Sequence, residues 1–246
     1  MALKILIPMA GRGSRFETAG YTFPKPFIDV KGQAMIALVA DNLKPLNRED
    51  YEFIFIAQEE HCEKYDLHNV LKQAIGDKFQ IVSINGVTEG AACTALMARD
   101  LIDNDDELLI ANSDQYLDPE AVRLMHEGLI QQESDGVILT FQSTHPKWSY
   151  VRTDEKDHVT EVAEKKVISD KATAGIYWWK KGSDFVRSAD SMISKDIRTQ
   201  NEFYIAPTFN ELIIEGKHIA NYMILNEAMH GLGDPESLTM YLNNIN

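Results

Sequence analysis

The sequence predicts an α/β fold: a Rossmann-like, mostly parallel mixed sheet flanked by helices, with a small β-rich lobe in its second half. Three observations predict it. A short apolar run, Leu3-Lys4-Ile5-Leu6-Ile7, passes directly into a glycine-bearing segment. Strand-like and helix-like stretches then alternate up to about residue 135, the signature of repeated βαβ units. Beyond it, strand-like segments follow one another without intervening helices, so the sheet becomes mixed.

Leu3–Ile7 reads as a buried strand because its apolar run is nearly continuous. The next segment carries Gly11, Gly13, Gly20, Pro24 and Pro26 and is expected to be one long loop, of a length that in a compact domain is usually functional. Ala34 to Leu43 follows as a helix, Glu52–Ala57 as a strand, Glu59 to Ile75 as one amphipathic helix and Phe79 to Ile84 as a strand. Ala91 to Ile102 reads as helix and Glu107 to Ala111 as a strand ending in Asn112-Ser113-Asp114. Pro119 to Gln132 is a helix with proline in its first turn. Strands are expected at Gly136–Phe141, Ser149–Arg152, His158–Val162 and Thr173–Trp178. Helices at Ser183 to Ile193 and Phe203 to Glu215, a strand at His218 to Ile224 and a last helix after Asp234 complete the chain. No internal repeat or linker interrupts it, so residues 1–246 are expected to be a single domain, with halves 1–135 and 136–246.

Composition narrows the function. With 44% hydrophobic and 25% charged residues, the 246-residue chain can bury a full core. A net charge of −14 and the absence of a Lys/Arg-rich run argue against nucleic acid as a partner. Cys62 and Cys93 form no CxxC or Cys/His cluster, which supports neither a disulfide framework nor a zinc site. The seven histidines show no metal-like spacing. The start, MALKILIPMAG, lacks a signal-peptide pattern, and no run nears the roughly 18 apolar residues of a membrane span. A cytoplasmic protein without membrane partners is expected.

The chemistry concentrates in a few places. Pro8-Met9-Ala10-Gly11-Arg12-Gly13-Ser14-Arg15 puts small residues and backbone N–H groups at the carboxyl end of a parallel strand, where anionic ligands bind. It is neither GxGxxG, since Phe16 stands at the third glycine position, nor a P-loop; alone it reads equally well as a glycine turn. Lys25, between Pro24 and Pro26, adds a second cation to Arg15 on a stiffened backbone. Asp114, ending an apolar strand, suits a hard cation bridging phosphate oxygens, although turn aspartates are common there.

Taken together, IPMAGRGSRF followed by FPKPFIDVKGQAMI resembles the sugar-phosphate nucleotidyltransferases of GT-A-like fold. The resemblance runs through VTEGAACTALMARDLI, LLIANSDQYLD, VAEKKVISDKATAGIYWW, NEFYIAPTFNELI and GLGDPESL, and so covers almost the whole chain. It implies that Pro8, Met9, Ala10 and Gly11 contact the base of an NTP through their backbone, helped by Gln58 and by Glu89-Gly90. Gly13, Ser14 and Arg15 would hold phosphates, Lys25 the α-phosphate, and Asn112 would border the nucleotide. Asp114 and Asp234 would share one Mg²⁺. Lys165 would bind the acceptor's phosphate, with Glu164, the Ala174-Gly175 backbone, Asn201, Glu202 and Tyr204 around the acceptor's body. Arg15, Lys25 and Lys165 are thus the expected catalytic cations.

The implied reaction joins NMP from an NTP to a small phosphorylated metabolite and releases pyrophosphate. AGYTFPKPFIDV and ANSDQYL look closest to enzymes of capsule and surface-polysaccharide loci, some of which use CTP and act on non-sugar acceptors such as phosphoglutamine. CTP is therefore favoured, although no single residue decides base or acceptor, and a homo-oligomer is compatible with the sequence. A metal-dependent glycosyltransferase of the same fold would explain Asp114 but not GRGSR with PKP, and Ser113-Asp114-Gln115 is not a DxD motif. A non-catalytic nucleotide sensor is the other alternative.

Overall fold

The computed structural model describes residues 1–131 and 133–244. In chain order these form β1 (Leu3–Pro8), α1 (Ser14–Thr18), β2 (Asp29–Val30), β3 (Gln33–Ala34), α2 (Met35–Asn42), β4 (Tyr51–Gln58), α3 (Glu59–Lys64), α4 (Leu67–Ile75) and β5 (Phe79–Ile84). Then come α5 (Ala91–Leu96), α6 (Arg99–Ile102), β6 (Glu107–Ala111), β7 (Gln115–Leu117), α7 (Pro119–Gln131), β8 (Gly136–Gln142), β9 (Tyr150–Thr153), β10 (Val159–Ala163) and β11 (Lys171–Trp179). The chain closes with α8 (Gly182–Ser194), α9 (Phe209–Ile214), β12 (Ile219–Met223), β13 (Met229–Gly231) and α10 (Pro235–Asn244).

The described strands build a nine-stranded sheet whose parallel centre is β6-β1-β4-β5. Antiparallel β11 joins it to the second half and pairs along one edge with β8, itself parallel to β12. Along its other edge β11 pairs with β9 at Ala172 and with β6 from Ile176 onward. The register shift between Thr173 and Tyr177 marks that fork. The β-rich half therefore continues the same sheet.

Alternation along β1 explains why helices cover both faces. Leu3, Ile5 and Ile7 face a core with α2, α4 and α7, while Leu6 faces one with α5, α8 and α9. In α4, Leu67, Leu71 and Ile75 recur at helical spacing and are buried. Trp179 stacks on Phe209 at 4.3 Å between ring centroids, and both are fully buried. Each large side chain so buried contributes roughly 1.5–3 kcal/mol.

Four expectations need correction. The expected helix Glu59 to Ile75 breaks at Asp66, whose φ of 47° turns the chain so that Tyr65 stacks on Phe27 and α4 can bury its apolar stripe. Ala91 to Ile102 is interrupted where Met97, Ala98 and Leu101 donate to carbonyls three residues back, tightening the backbone. Phe203 to Glu215 is not helical at Phe203, which hydrogen-bonds to Glu89 and Ala92; Ala206–Thr208 is a 3₁₀ turn containing Pro207, and α9 begins at Phe209. The expected long loop after β1 contains the short α1 and a 3₁₀ turn at Lys25–Phe27 and leads into the β2–β3 ribbon. Gln132 lies outside the described residues. No helix among those described is long and apolar enough to cross a membrane.

Candidate active site

The carboxyl ends of β1 and β6 converge with the β11 fork on a cleft of ≈ 370 Å³. Leaving β1, Met9 and Ala10 are buried, and Met9 N–H donates to the Ile56 carbonyl at 2.8 Å. Gln58, ending β4, donates its side-chain Nε2 to the carbonyls of Ala10 and Gly86, each at 2.7 Å, and so ties the first loop to the loop after β5. Phe16 is 1% exposed and meets Tyr21 edge-on at 5.0 Å. This anchor holds α1, and it is why an aromatic stands where a dinucleotide motif would have glycine.

Gly13 lies against the proline-flanked lysine: a Cβ there would come 3.1 Å from Lys25 Cβ. From that position Lys25 Nζ donates to Asp114 Oδ2 at 2.8 Å, in a pair whose side chains are only 19% and 14% exposed. β7 and β13 pair with Gln115 opposite Gly231, so Asp114 and Asp234 leave the same end of one ribbon. Leu232 N–H donates to the Asp114 carbonyl at 2.7 Å.

Asp234 caps α10, accepting from Ser237 N–H at 2.8 Å and Ser237 Oγ at 3.0 Å. Its Oδ2 also faces Lys147 Nζ at 3.7 Å and an Arg15 guanidinium nitrogen at 4.0 Å. Burial would raise this carboxyl's pKa, but the Ser237 hydrogen bonds and the charges of Lys147 and Arg15 outweigh it and hold it below the ordinary carboxylate value.

Around the β11 fork stands a second set of groups. Lys165, in the left-handed region at φ 51°, donates Nζ to Gln200 Oε1 at 2.8 Å and to the Tyr204 hydroxyl at 2.5 Å. Glu164 accepts from Ser149 Oγ. Burial pushes the Glu164 carboxyl up; Ser149 and Lys165 oppose the rise without cancelling it, and Glu202 adds repulsion. Burial and then Glu202 also raise the Tyr204 phenol. Gly175, at φ 71°, fits where no side chain could: a Cβ would fall 2.0 Å from Gln115 Oε1 and 2.4 Å from Asn112 Nδ2.

The structure thus brings Pro8, Arg15, Lys25, Asn112, Asp114 and Asp234 into one cleft with Glu164, Lys165, Gly175, Glu202 and Tyr204. Met9, Ala10, Gly11, Gly13, Gln58, Glu89 and Gly90 lie outside its lining, and Ser14 borders an adjoining depression. Asn201, likewise outside the cleft, accepts at its carbonyl from Arg198. Glu89 pairs with Arg198 at 2.7 Å, and Gly90 is pressed against the Phe203 backbone. Sequence reasoning missed Lys147, Trp148 and Ser149, which reach the cleft from a polar turn between β8 and β9. The buried Gln115, just after Asp114, was also missed. Only the tryptophan in HPKWS hints that this turn packs inward.

Mg²⁺ retains several waters and is held by one or two carboxylates plus substrate phosphates rather than by an all-protein cage. Asp114 and Asp234, on neighbouring ribbon ends of one cleft, fit that donor set. Cys62 and Cys93 are both free thiols.

The nucleotidyl transferase family profile matches residues 4–244. The chain belongs to that family. No curated protein matches its sequence. Among solved structures, it is similar to a nucleoside-diphosphate-sugar pyrophosphorylase from Vibrio cholerae RC9, with 27% identity, a TM-score of 0.83 and coverage of 97% of this chain and 99% of that one. A UDP-glucose pyrophosphorylase complexed with UDP-glucose shares the fold at 16% identity and a TM-score of 0.78, over 99% and 98% of the two chains. The inositol-1-phosphate CTP transferase from T. maritima does so at 12% and 0.74, over 98% and 96%. The protein is a nucleotidyltransferase, and family membership displaces the glycosyltransferase reading.

Proposed function

We propose that this nucleotidyltransferase joins NMP from an NTP to the phosphate of a small metabolite, with CTP the favoured donor and a sugar 1-phosphate or a phosphorylated non-sugar such as phosphoglutamine the acceptor. The observation that carries the reading is the cleft itself. Lys25 paired to Asp114, Arg15 facing Asp234, and Lys165 beside Glu164 supply cations from three separate segments to one space.

The acceptor's phosphate oxygen is already anionic and needs no general base. It attacks the α-phosphorus, the bond to the α–β bridging oxygen breaks, and pyrophosphate leaves with the electron pair. What the protein must supply is alignment of two anions that repel one another, and fixed charge where negative charge develops. On this reading Lys25 holds the α-phosphate, Arg15 the leaving pyrophosphate and Lys165 the acceptor phosphate. Gly13 and Ser14 bind phosphates through the loop. Pro8 to Gly11, Gln58 and Glu89-Gly90 frame the base, and Asn112 borders the nucleotide. Glu164, Gly175, Glu202 and Tyr204 hold the acceptor's body. Asp114 and Asp234 would hold Mg²⁺, which when bound supplies charge neutralisation at the phosphates.

CTP and a role in surface-polysaccharide synthesis rest on the AGYTFPKPFIDV and ANSDQYL blocks. A phosphorylated metabolite as substrate and two free cysteines favour a cytoplasmic setting. The test is pyrophosphate release from CTP, UTP, dTTP, GTP and ATP against sugar 1-phosphates and phosphorylated amino-acid derivatives, with and without Mg²⁺. One productive pair, abolished by chelation and reduced about 10²–10³-fold or more in Asp114→Ala, is expected. Wild-type turnover in that variant would remove the metal role.

A further inference from the structure

We propose that Lys147 completes, with Arg15, a subsite for the departing pyrophosphate; this rests on the reaction proposed above. Lys147 belongs to the turn between β8 and β9, far in sequence from the glycine loop, yet it meets Asp234 Oδ2 at 3.7 Å as Arg15 does at 4.0 Å. The two cations border a depression that adjoins the cleft and is also lined by Ser14 and His145.

The lysine is held in place. The Tyr150 hydroxyl, on a fully buried ring, donates to the His145 carbonyl at 2.6 Å. Trp148 N–H donates to the same carbonyl at 3.3 Å, and Lys147 N–H to His145 Nδ1 at 3.2 Å. Trp148 packs edge-on against Phe141 at 5.3 Å, while Lys147 Nζ lies 4.8 Å from the Trp148 ring centroid.

Asp234 and Glu236 bring two negative charges to the depression, balancing Arg15 and Lys147. When a divalent cation takes up the charge of Asp234, both side-chain cations are left to an anion. A ligand with two adjacent phosphates suits them, and its binding should depend on Mg²⁺. His145 borders the same space.

Isothermal titration of magnesium pyrophosphate into the full-length protein tests this without turnover. Lys147→Gln should weaken binding about tenfold or more, the loss of one charge-assisted contact, whereas Lys147→Arg should stay within roughly threefold of wild type. Lys156→Gln, on the exposed turn between β9 and β10, is the charge-matched control. In turnover assays the pyrophosphate inhibition constant should rise while the acceptor KM holds. Wild-type affinity in Lys147→Gln, or a defect confined to acceptor KM, overturns the inference. Wild-type protein that binds neither magnesium pyrophosphate nor any NTP would overturn the proposed function itself.

Discussion

Replacing Gly233 with alanine displaces one carboxylate while leaving every charge in place. A Cβ at Gly233 would stand 2.4 Å from Asp114 Oδ2 and 3.1 Å from its Cγ. Such contacts do not fall below 3.0 Å, so the carboxylate must retreat by at least 3.0 − 2.4 = 0.6 Å. Gly233 is not among the residues at positive φ, so alanine meets no left-handed strain there. The perturbation is thus local: the 2.8 Å bond from Lys25 must lengthen or turn, and the oxygen that on the proposed reading would serve the metal and phosphates moves. Misplacing a reacting geometry by about 1 Å costs on the order of 10²-fold in rate. Gly233→Ala should therefore lower kcat by about 10–100-fold and raise the Mg²⁺ concentration needed for half-maximal rate, with thermal unfolding shifted by only a few degrees.

Two companions make that experiment decisive. Gly231→Ala, whose added carbon meets nothing nearer than 3.8 Å, should behave as wild type. In the Asp114→Ala background, Gly233→Ala should have no further effect on rate, because the group it displaces is gone. Wild-type rate and Mg²⁺ dependence in Gly233→Ala, or fully additive effects in the double variant, would refute the placement of Asp114 at the reacting phosphates.

Two further outcomes follow from burial. Glu164 has a raised folded-state pKa, so its ionisation opposes folding: the contribution is favourable below the unfolded pKa and is lost as pH rises through the folded one. Glu164→Gln should then melt higher than wild type at pH 8, with the advantage shrinking toward pH 4, while acceptor KM rises; equal melting curves at both pH values would contradict this. Gly90→Ala would set a Cβ 2.4 Å from the Phe203 carbonyl oxygen at φ +136°, against backbone that is itself hydrogen-bonded. It should cost roughly 3 kcal/mol or more, seen as a lower urea midpoint, and an unchanged midpoint would show that the loop can shift freely.

The parallel half was legible because local signals and tertiary demands coincide there. β1, β4 and β5 are apolar runs bounded by turn residues, and each lies within a residue or two of its expected place. Helix continuity was less legible, since the turn at Asp66 is dictated by what α4 and Tyr65 pack against rather than by helix propensity. In the cleft, Arg15, Lys25 and Asp114 stood out as charges on glycine- or proline-marked segments or at a strand end, and Lys165 only through the family resemblance. Lys147 follows Pro146, but a lone proline beside a lysine reads as an ordinary turn. It reaches Asp234 only because β8 and β9 join the sheet beside β11, a pairing that no local pattern encodes.

The free cleft keeps its cations engaged internally. Lys25 is paired with Asp114, Arg15 and Lys147 face Asp234, and Lys165 is held by Gln200 and Tyr204. Removing one partner of a mostly buried pair leaves the other uncompensated, at a cost of several kcal/mol. On the proposed reading, Lys25 cannot turn to the α-phosphate unless Asp114 gains a cation in the same step, and a metal cannot settle on Asp114 while the ammonium stays. Metal and NTP would therefore bind as one unit, each supplying the charge that the other's ligand gives up. On that reading the −14 net charge of the chain is no obstacle, because the triphosphate would arrive with its own cation and would meet three lysines and an arginine already gathered in the cleft.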